Sequence, residues 1–137
     1  MALRTGLVNI TGLASATSAN GTLRTGATLP LAGVKPGSLL FETQASITTA
    51  SVLATFVVQA SMDGTNWFDV YAPAVVSVAT PAGTGSAVTT RRVIAVPAEP
   101  LSSFAFVRCN ATLSGAATAG ADVSNVNYRF RRYGLED

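Results

Sequence analysis

The stretch LATFVVQASMDGTNWFDVY, Leu53 to Tyr71, decides the fold class. It reads as two β-strands joined at Asp63-Gly64-Thr65-Asn66. Ala54, Phe56, Val58 and Ala60 share one strand face, and Thr55, Val57 and Gln59 share the other, a period of two residues. Gly64 can adopt the positive φ that such a turn needs, and Asp63 and Asn66 can bond the turn backbone through their side chains. The chain's single Trp, Trp67, follows the turn. The hairpin is therefore expected to seed the core, with Phe68 and Val70 alternating against Trp67, Asp69 and Tyr71.

Working outward, the same alternation recurs. Leu39, Phe41, Thr43, Ala45 and Ile47 alternate with Leu40, Glu42, Gln44 and Ser46. Ala105, Val107, Cys109, Ala111 and Leu113 oppose Phe104, Phe106, Arg108, Asn110 and Thr112. Val126, Tyr128 and Phe130 oppose Arg129 and Arg131. Further strands are expected over residues 22–31, 75–80 and 87–96, punctuated by Pro30, Pro36, Pro73, Pro97 and Pro100. No segment carries a 3.6-residue amphipathic repeat. About seven or eight strands linked by Gly/Pro turns predict an all-β, antiparallel β-sandwich or jelly roll. Residues 1–22 show only scattered Leu3, Leu7, Val8, Ile10 and Leu13 among Thr, Gly, Ser and Asn. They are expected to form an extended N-terminal arm lying on a neighbouring subunit, with residues 23–137 as one sandwich domain.

Composition narrows the function by exclusion. The chain has 137 residues, enough for a real core. Only 12% are charged and 48% are hydrophobic. A surface so poor in charge is expected to be covered in an assembly. The net charge of +2 is too small to argue for nucleic acid. No apolar run approaches the ~20 residues of a membrane span, and Asn9, Thr11 and Gly12 interrupt any signal-like segment near the N-terminus. The lone Cys109 cannot form an internal disulfide, which fits folding in a reducing compartment.

There is no histidine. That removes the commonest general base and transition-metal ligand, together with Ser-His-Asp and Cys-His nucleophilic sites. One cysteine cannot make a zinc site. Asp63 and Asp69 are better explained by the turn and by a strand position than as an acid pair, and Asp63 with Asn66 offers too few oxygens for Ca²⁺. No catalytic residue, metal or cofactor is expected. Arg91-Arg92 and Arg129, Arg131 and Arg132 remain. Arg forms planar, bidentate contacts and is enriched in interfaces, so these groups point to a protein partner; the alternative is a solvated strand face paired with Asp and Glu. Trp67 with Tyr71 and Asp63 could form a sugar-stacking platform, or simply belong to the core and its adjacent face.

Ser61-Met-Asp63-Gly64-Thr65-Asn66-Trp67, within Val58–Val70, resembles a hairpin found in small β-sandwich virion proteins of tailed bacteriophages. The segments Phe106–Gly115 and Val126–Phe130 extend the resemblance to about half the chain. A similar Ser-x-Asp-Gly-x-x-Trp pattern occurs in discoidin-like sugar- or lipid-binding modules, although those of the secreted kind carry paired cysteines. The phage resemblance implies a virion protein on the capsid surface: a cement (decoration) protein that contacts the major capsid protein and its own copies as a trimer or dimer. A tail or fibre subunit and a carbohydrate-binding module are the alternatives. For the cement protein the expected contacts are Arg4, Leu7, Ile10, Arg91, Arg92, Arg129 and Arg131; for the glycan module, Asp63, Trp67 and Tyr71.

Overall fold

A computed structural model describes residues 5–17, 23–47, 53–70, 74–77, 88–95, 103–114 and 123–134. Among the described residues ten strands run in order: β1 Thr5–Thr17, β2 Leu23–Arg24, β3 Leu29–Pro30, β4 Leu40–Ile47, β5 Leu53–Ser61, β6 Phe68–Asp69, β7 Ala74–Ser77, β8 Val88–Ala95, β9 Phe106–Ser114 and β10 Val123–Tyr133. They form two antiparallel sheets. The first has the order β1-β10-β4-β8. The second runs β2-β9-β5-β6, with β3 also on β9 and β7 also on β5. The expected antiparallel sandwich is the observed fold.

The long strands follow from alternation. In β4 the odd-numbered Phe41 and Ala45 are fully covered, while Glu42 and Gln44 are half-exposed. In β10 Val126, Tyr128 and Phe130 point inward, and from the second sheet Phe56, Val58, Val107 and Cys109 meet them in one core. Phe41 packs edge-on against Tyr128, with ring centroids 4.9 Å apart and planes at 86°, the arrangement that ring quadrupoles favour.

Two findings differ from the sequence reading. Thr5–Thr17, expected as an arm, forms the edge strand β1, paired along β10 from Thr5↔Tyr133 to Thr17↔Val123. The register shifts between Thr11 and Leu13 and again between Leu13 and Ala16. Each bulge adds a residue and breaks the period of two, which is why no strand pattern shows in this segment. The hairpin is also lopsided. β5 supplies the core, but β6 is two residues long, Phe68 is exposed, and Trp67 is only half-buried. The seed of the core is β5 with β9, not the tryptophan.

Polar bonds tie the sheets together. The outer lane beside β9 is broken at 25–28, between β2 and β3. Tyr128 fills the break: its hydroxyl accepts the Cys109 N–H at 2.9 Å and donates to the Ala27 carbonyl at 2.8 Å. Asn110, buried although it lies outside the apolar row, accepts the Gly26 N–H through Oδ1 at 3.0 Å. Arg24 reaches from β2 to the other sheet, donating to the Ser124 carbonyl at 2.7 Å and to the Ala14 carbonyl at 2.5 Å.

Cys109 has no exposed surface, as a structural cysteine should, and burial pushes its thiol up to about 12 from 9.0. A raised folded-state value means the contribution to stability is complete below the unfolded value and fades as pH climbs from 9.0 toward about 12. Alkylation at pH 8 should therefore proceed only through opening of the sandwich. It is expected to run at least ~10³-fold slower in the native protein than in urea, given a domain stability of ~5 kcal/mol or more. A thiol that reacts at the same rate in both conditions refutes the burial argument.

Candidate functional site

Register, rather than sequence proximity, assembles the face of interest. On the solvent side of the four-stranded sheet, Leu7 pairs with Arg131, and Asn9 with Arg129. Arg129 continues to Leu40 and Asn127 to Glu42. Glu42 lies opposite Val93, and Gln44 opposite Arg91. Leu7, Arg91, Arg129 and Arg131, four of the residues expected at a partner contact, thus share one surface. Leu7 and Val93 are its exposed apolar points, at 56% and 61%.

The charges on this face are partly matched. Arg129 Nη1 and Glu42 Oε1 lie 2.6 Å apart, with both side chains more than a third exposed; such exposed pairs contribute ~0–1 kcal/mol. Arg91 Nε donates to Gln44 Oε1 at 3.0 Å. A hollow of about 480 Å³ opens among Glu42, Gln44, Arg91, Val93, Asn125 and Asn127. Three amides, the Arg91 guanidinium and the Glu42 carboxylate share its wall with apolar surface that includes Val93.

Other expected contacts fall elsewhere. Ile10 lies opposite Tyr128, on the side of β1 that turns toward the core, and is 36% exposed. Arg92 occupies the register position opposite Thr43; its side chain lies outside the description. Arg4 and Tyr71 lie outside the described residues. Arg132 stands apart from the other arginines, with its guanidinium 5.4 Å from the Phe130 ring centroid.

The platform expected for a glycan is already engaged within the chain. The Arg108 guanidinium sits 4.0 Å from the Trp67 ring centroid, so one face of the indole is covered. Asp63 Oδ1 accepts the Thr65 and Asn66 N–H groups, each at 2.8 Å, and Oδ2 accepts from the Asn66 side chain at 2.7 Å. The Asn66 N–H above all, then that of Thr65, holds the carboxyl well below the usual carboxylate range. Gly64 closes this turn with φ +79°. Asp69 accepts from Gln59 Nε2 at 2.8 Å. Among the described residues no three of His, Cys, Asp and Glu gather as a metal site would require.

The sandwich has counterparts in virus particles. A chain in the structure of the infectious bursal disease virus Gx strain superposes with a TM-score of 0.58 at 12% identity, over 98% of this chain and 33% of that one. A chain of T=1 particles derived from the same virus gives 0.56 at 14% identity, over 96% and 32%. A chain of the T13 particle gives 0.55 at 12%, over 96% and 32%. The present chain spans about a third of the length of these chains, and at such identities the likeness is one of fold. No family model and no curated protein sequence matches it.

Sequence reasoning missed Arg24 and Tyr128. Arg24 stands alone between Leu23 and Thr25, with no charge partner nearby in sequence, and its partners are backbone carbonyls about 10 and 100 positions away. The Tyr128 hydroxyl carries no sequence signal beyond the rule that a buried phenol must find partners.

Proposed function

We propose that this chain is a non-enzymatic virion structural protein, and specifically a cement protein that sits on the capsid of a tailed phage and bridges neighbouring capsomers. One observation carries the reading: a solvent-facing sheet surface with Arg91, Arg129 and Arg131 against Glu42, its one carboxylate among the described residues, on a fold that chains of icosahedral virus particles also use. The low charge of the whole chain and its lack of histidine support an assembly role over catalysis. The mechanism is contact area multiplied by copy number. Leu7 and Val93 give apolar anchors, and the arginines and amides set register against an acidic or carbonyl-rich strip of the major capsid protein. Many weak contacts around a closed shell add up to a strong clamp.

Quantitative mass spectrometry of purified virions, paired with rebinding of the chain to stripped capsids, tests this. The expected result is a fixed, high ratio to the coat protein, with the Arg91→Glu/Arg131→Glu double variant rebinding at least ~10-fold more weakly. A handful of copies per particle points to a tail or fibre subunit instead. Absence from virions overturns the reading.

A further inference from the structure

The four-stranded sheet ends in two edges, β1 and β8, and they are built differently. β8 pairs with β4 without a bulge over eight positions, from Leu40↔Ala95 to Ile47↔Val88. At its centre it carries Arg91 and Arg92, charges of one sign that deter pairing with another copy of itself. β1 divides into two halves. From Gly12 onward its outer edge is covered, because the Gly12 carbonyl accepts the Ala27 N–H at 2.9 Å and the Ala14 carbonyl accepts from Arg24.

The half from Thr5 to Thr11 carries no such bond on its outer side among the described residues. Among the described residues no strand pairs with its outer side. It reads Thr-Gly-Leu-Val-Asn-Ile-Thr, with no charge and no proline, and its pairing to β10 stays in register over all seven positions. None of the usual protections of an edge is present: no lysine, no proline, no bulge. Leu7 and Ile10 protrude from its two faces, 56% and 36% exposed.

We infer that Thr5–Thr11 is a homotypic docking edge that pairs antiparallel with the same segment of a second copy across a two-fold axis, joining the two four-stranded sheets into one. The sequence suits its own copy. In an antiparallel pair, residues directly opposite each other share a sheet face, so odd-numbered residues must oppose odd and even oppose even. Centred on Val8, the pairing sets Leu7 against Asn9, Gly6 against Ile10 and Thr5 against Thr11. It continues the inner row of Val8 and Ile10 across the junction and opposes no like charges. The same operation on β8 would set arginines of the two copies side by side. A two-fold contact is self-complementary by construction, and a neutral strand meets that condition where the Arg91-Arg92 strand does not. This edge contact is independent of the virion reading and concerns the isolated chain.

The test is sedimentation velocity on the full chain from ~1 to ~100 µM, with amide hydrogen exchange read over residues 5–11. The expected result is a reversible dimer in which these amides are protected in step with dimer fraction. Leu7→Lys is expected to weaken it at least ~10-fold by placing a charge in each copy's pairing segment, while Val93→Lys on the opposite edge leaves it unchanged. Unchanged masking of Cys109 verifies that both variants are folded. A wild-type chain that stays monomeric at ~100 µM overturns the inference, as does a dimer that Leu7→Lys leaves intact. Protection of residues 5–11 only on adding capsid protein also overturns it, and assigns the edge to that partner.

Discussion

Tyr128→Ala is expected to bring the protein to the margin of folding, and Tyr128→Phe to isolate how much of that comes from one hydroxyl. The ring is fully covered and edge-packed on Phe41, so truncation leaves a large aromatic cavity costing ~3–5 kcal/mol. The hydroxyl does separate work. It stands in for a strand at the gap between β2 and β3, serving the Cys109 N–H and the Ala27 carbonyl together. Phenylalanine keeps the packing but leaves the buried Cys109 N–H without its acceptor and removes the donor to the part-buried Ala27 carbonyl, costing ~1–3 kcal/mol. Burial raises the phenol well above its ordinary range, with the Cys109 N–H bond pulling the other way, so the hydroxyl stays protonated and able to donate across any usable pH. In urea denaturation the Phe variant should lose that amount with an unchanged slope, and the Ala variant should lose more than twice as much. Equal stability of Phe and wild type would mean that the gap rearranges and that the hydroxyl bridge is incidental.

Most of the fold is legible because most strands bury one face and wet the other. β4 and β10 alternate throughout, and β9 does so except at the buried Asn110. Leu40–Ile47 falls within one residue of the row read from alternation, and Val123–Tyr133 extends the row read at Val126–Arg131 by three residues and two. The turn at Asp63 is legible for a different reason: its chemistry is local, completed by Ser61, whose hydroxyl accepts the Gly64 N–H at 2.8 Å. What fails to show is whatever depends on distant chain. β1 loses its period at two bulges, and the bulge at Gly12 exists to pass over the Tyr128 ring. The lane at 23–30 reads as one strand, yet it parts around a hydroxyl contributed from a hundred residues away. Trp67 reads as core because large aromatics usually are core, but it is only half-buried, with the Arg108 guanidinium over its ring.

The candidate face divides along the same line. That Arg129 and Arg131 share a side follows from their spacing. That Arg91 and Leu7 join them requires β1 and β4 to flank β10 and β8 to follow β4, all in one register, which no local pattern encodes. Arg91 and Arg129 read in the sequence either as partner contacts or as a strand face paired within itself, and the intrachain bonding is what the fold displays. Each is bonded across the sheet, to Gln44 and Glu42.

Gly26→Ala is the sharpest steric test of this architecture. A Cβ at Gly26 would lie 2.0 Å from the Cys109 carbonyl oxygen and 2.5 Å from the Tyr128 hydroxyl. The carbonyl belongs to a central strand, and the hydroxyl is fixed by its two bonds, so neither can yield. The 25–28 segment must swing outward instead. That motion breaks the Gly26 N–H bond to Asn110, the Ala27 carbonyl bond to Tyr128 and the Ala27 N–H bond to Gly12. Overpacking with two or three lost hydrogen bonds comes to ~3–5 kcal/mol. Gly12→Ala clashes with the same ring from the other side, at 2.2 Å from a Tyr128 ring carbon, and should be similarly harmful because the ring has Phe41 behind it. Gly37→Ala is the control. Its φ of +77° strains any side chain, but nothing lies within 4 Å, so only the backbone term of ~1–2 kcal/mol remains. The order expected by chemical denaturation is therefore Gly26→Ala and Gly12→Ala far below Gly37→Ala, which lies modestly below wild type. A Gly26→Ala protein as stable as Gly37→Ala would mean that the gap is wide enough for a methyl group and that Tyr128 does not close it. The same measurement bears on assembly, because Gly12 marks where the covered half of β1 begins. A variant that frees the Gly12 carbonyl from Ala27 lengthens the open edge, and it should self-associate more strongly even as it becomes less stable.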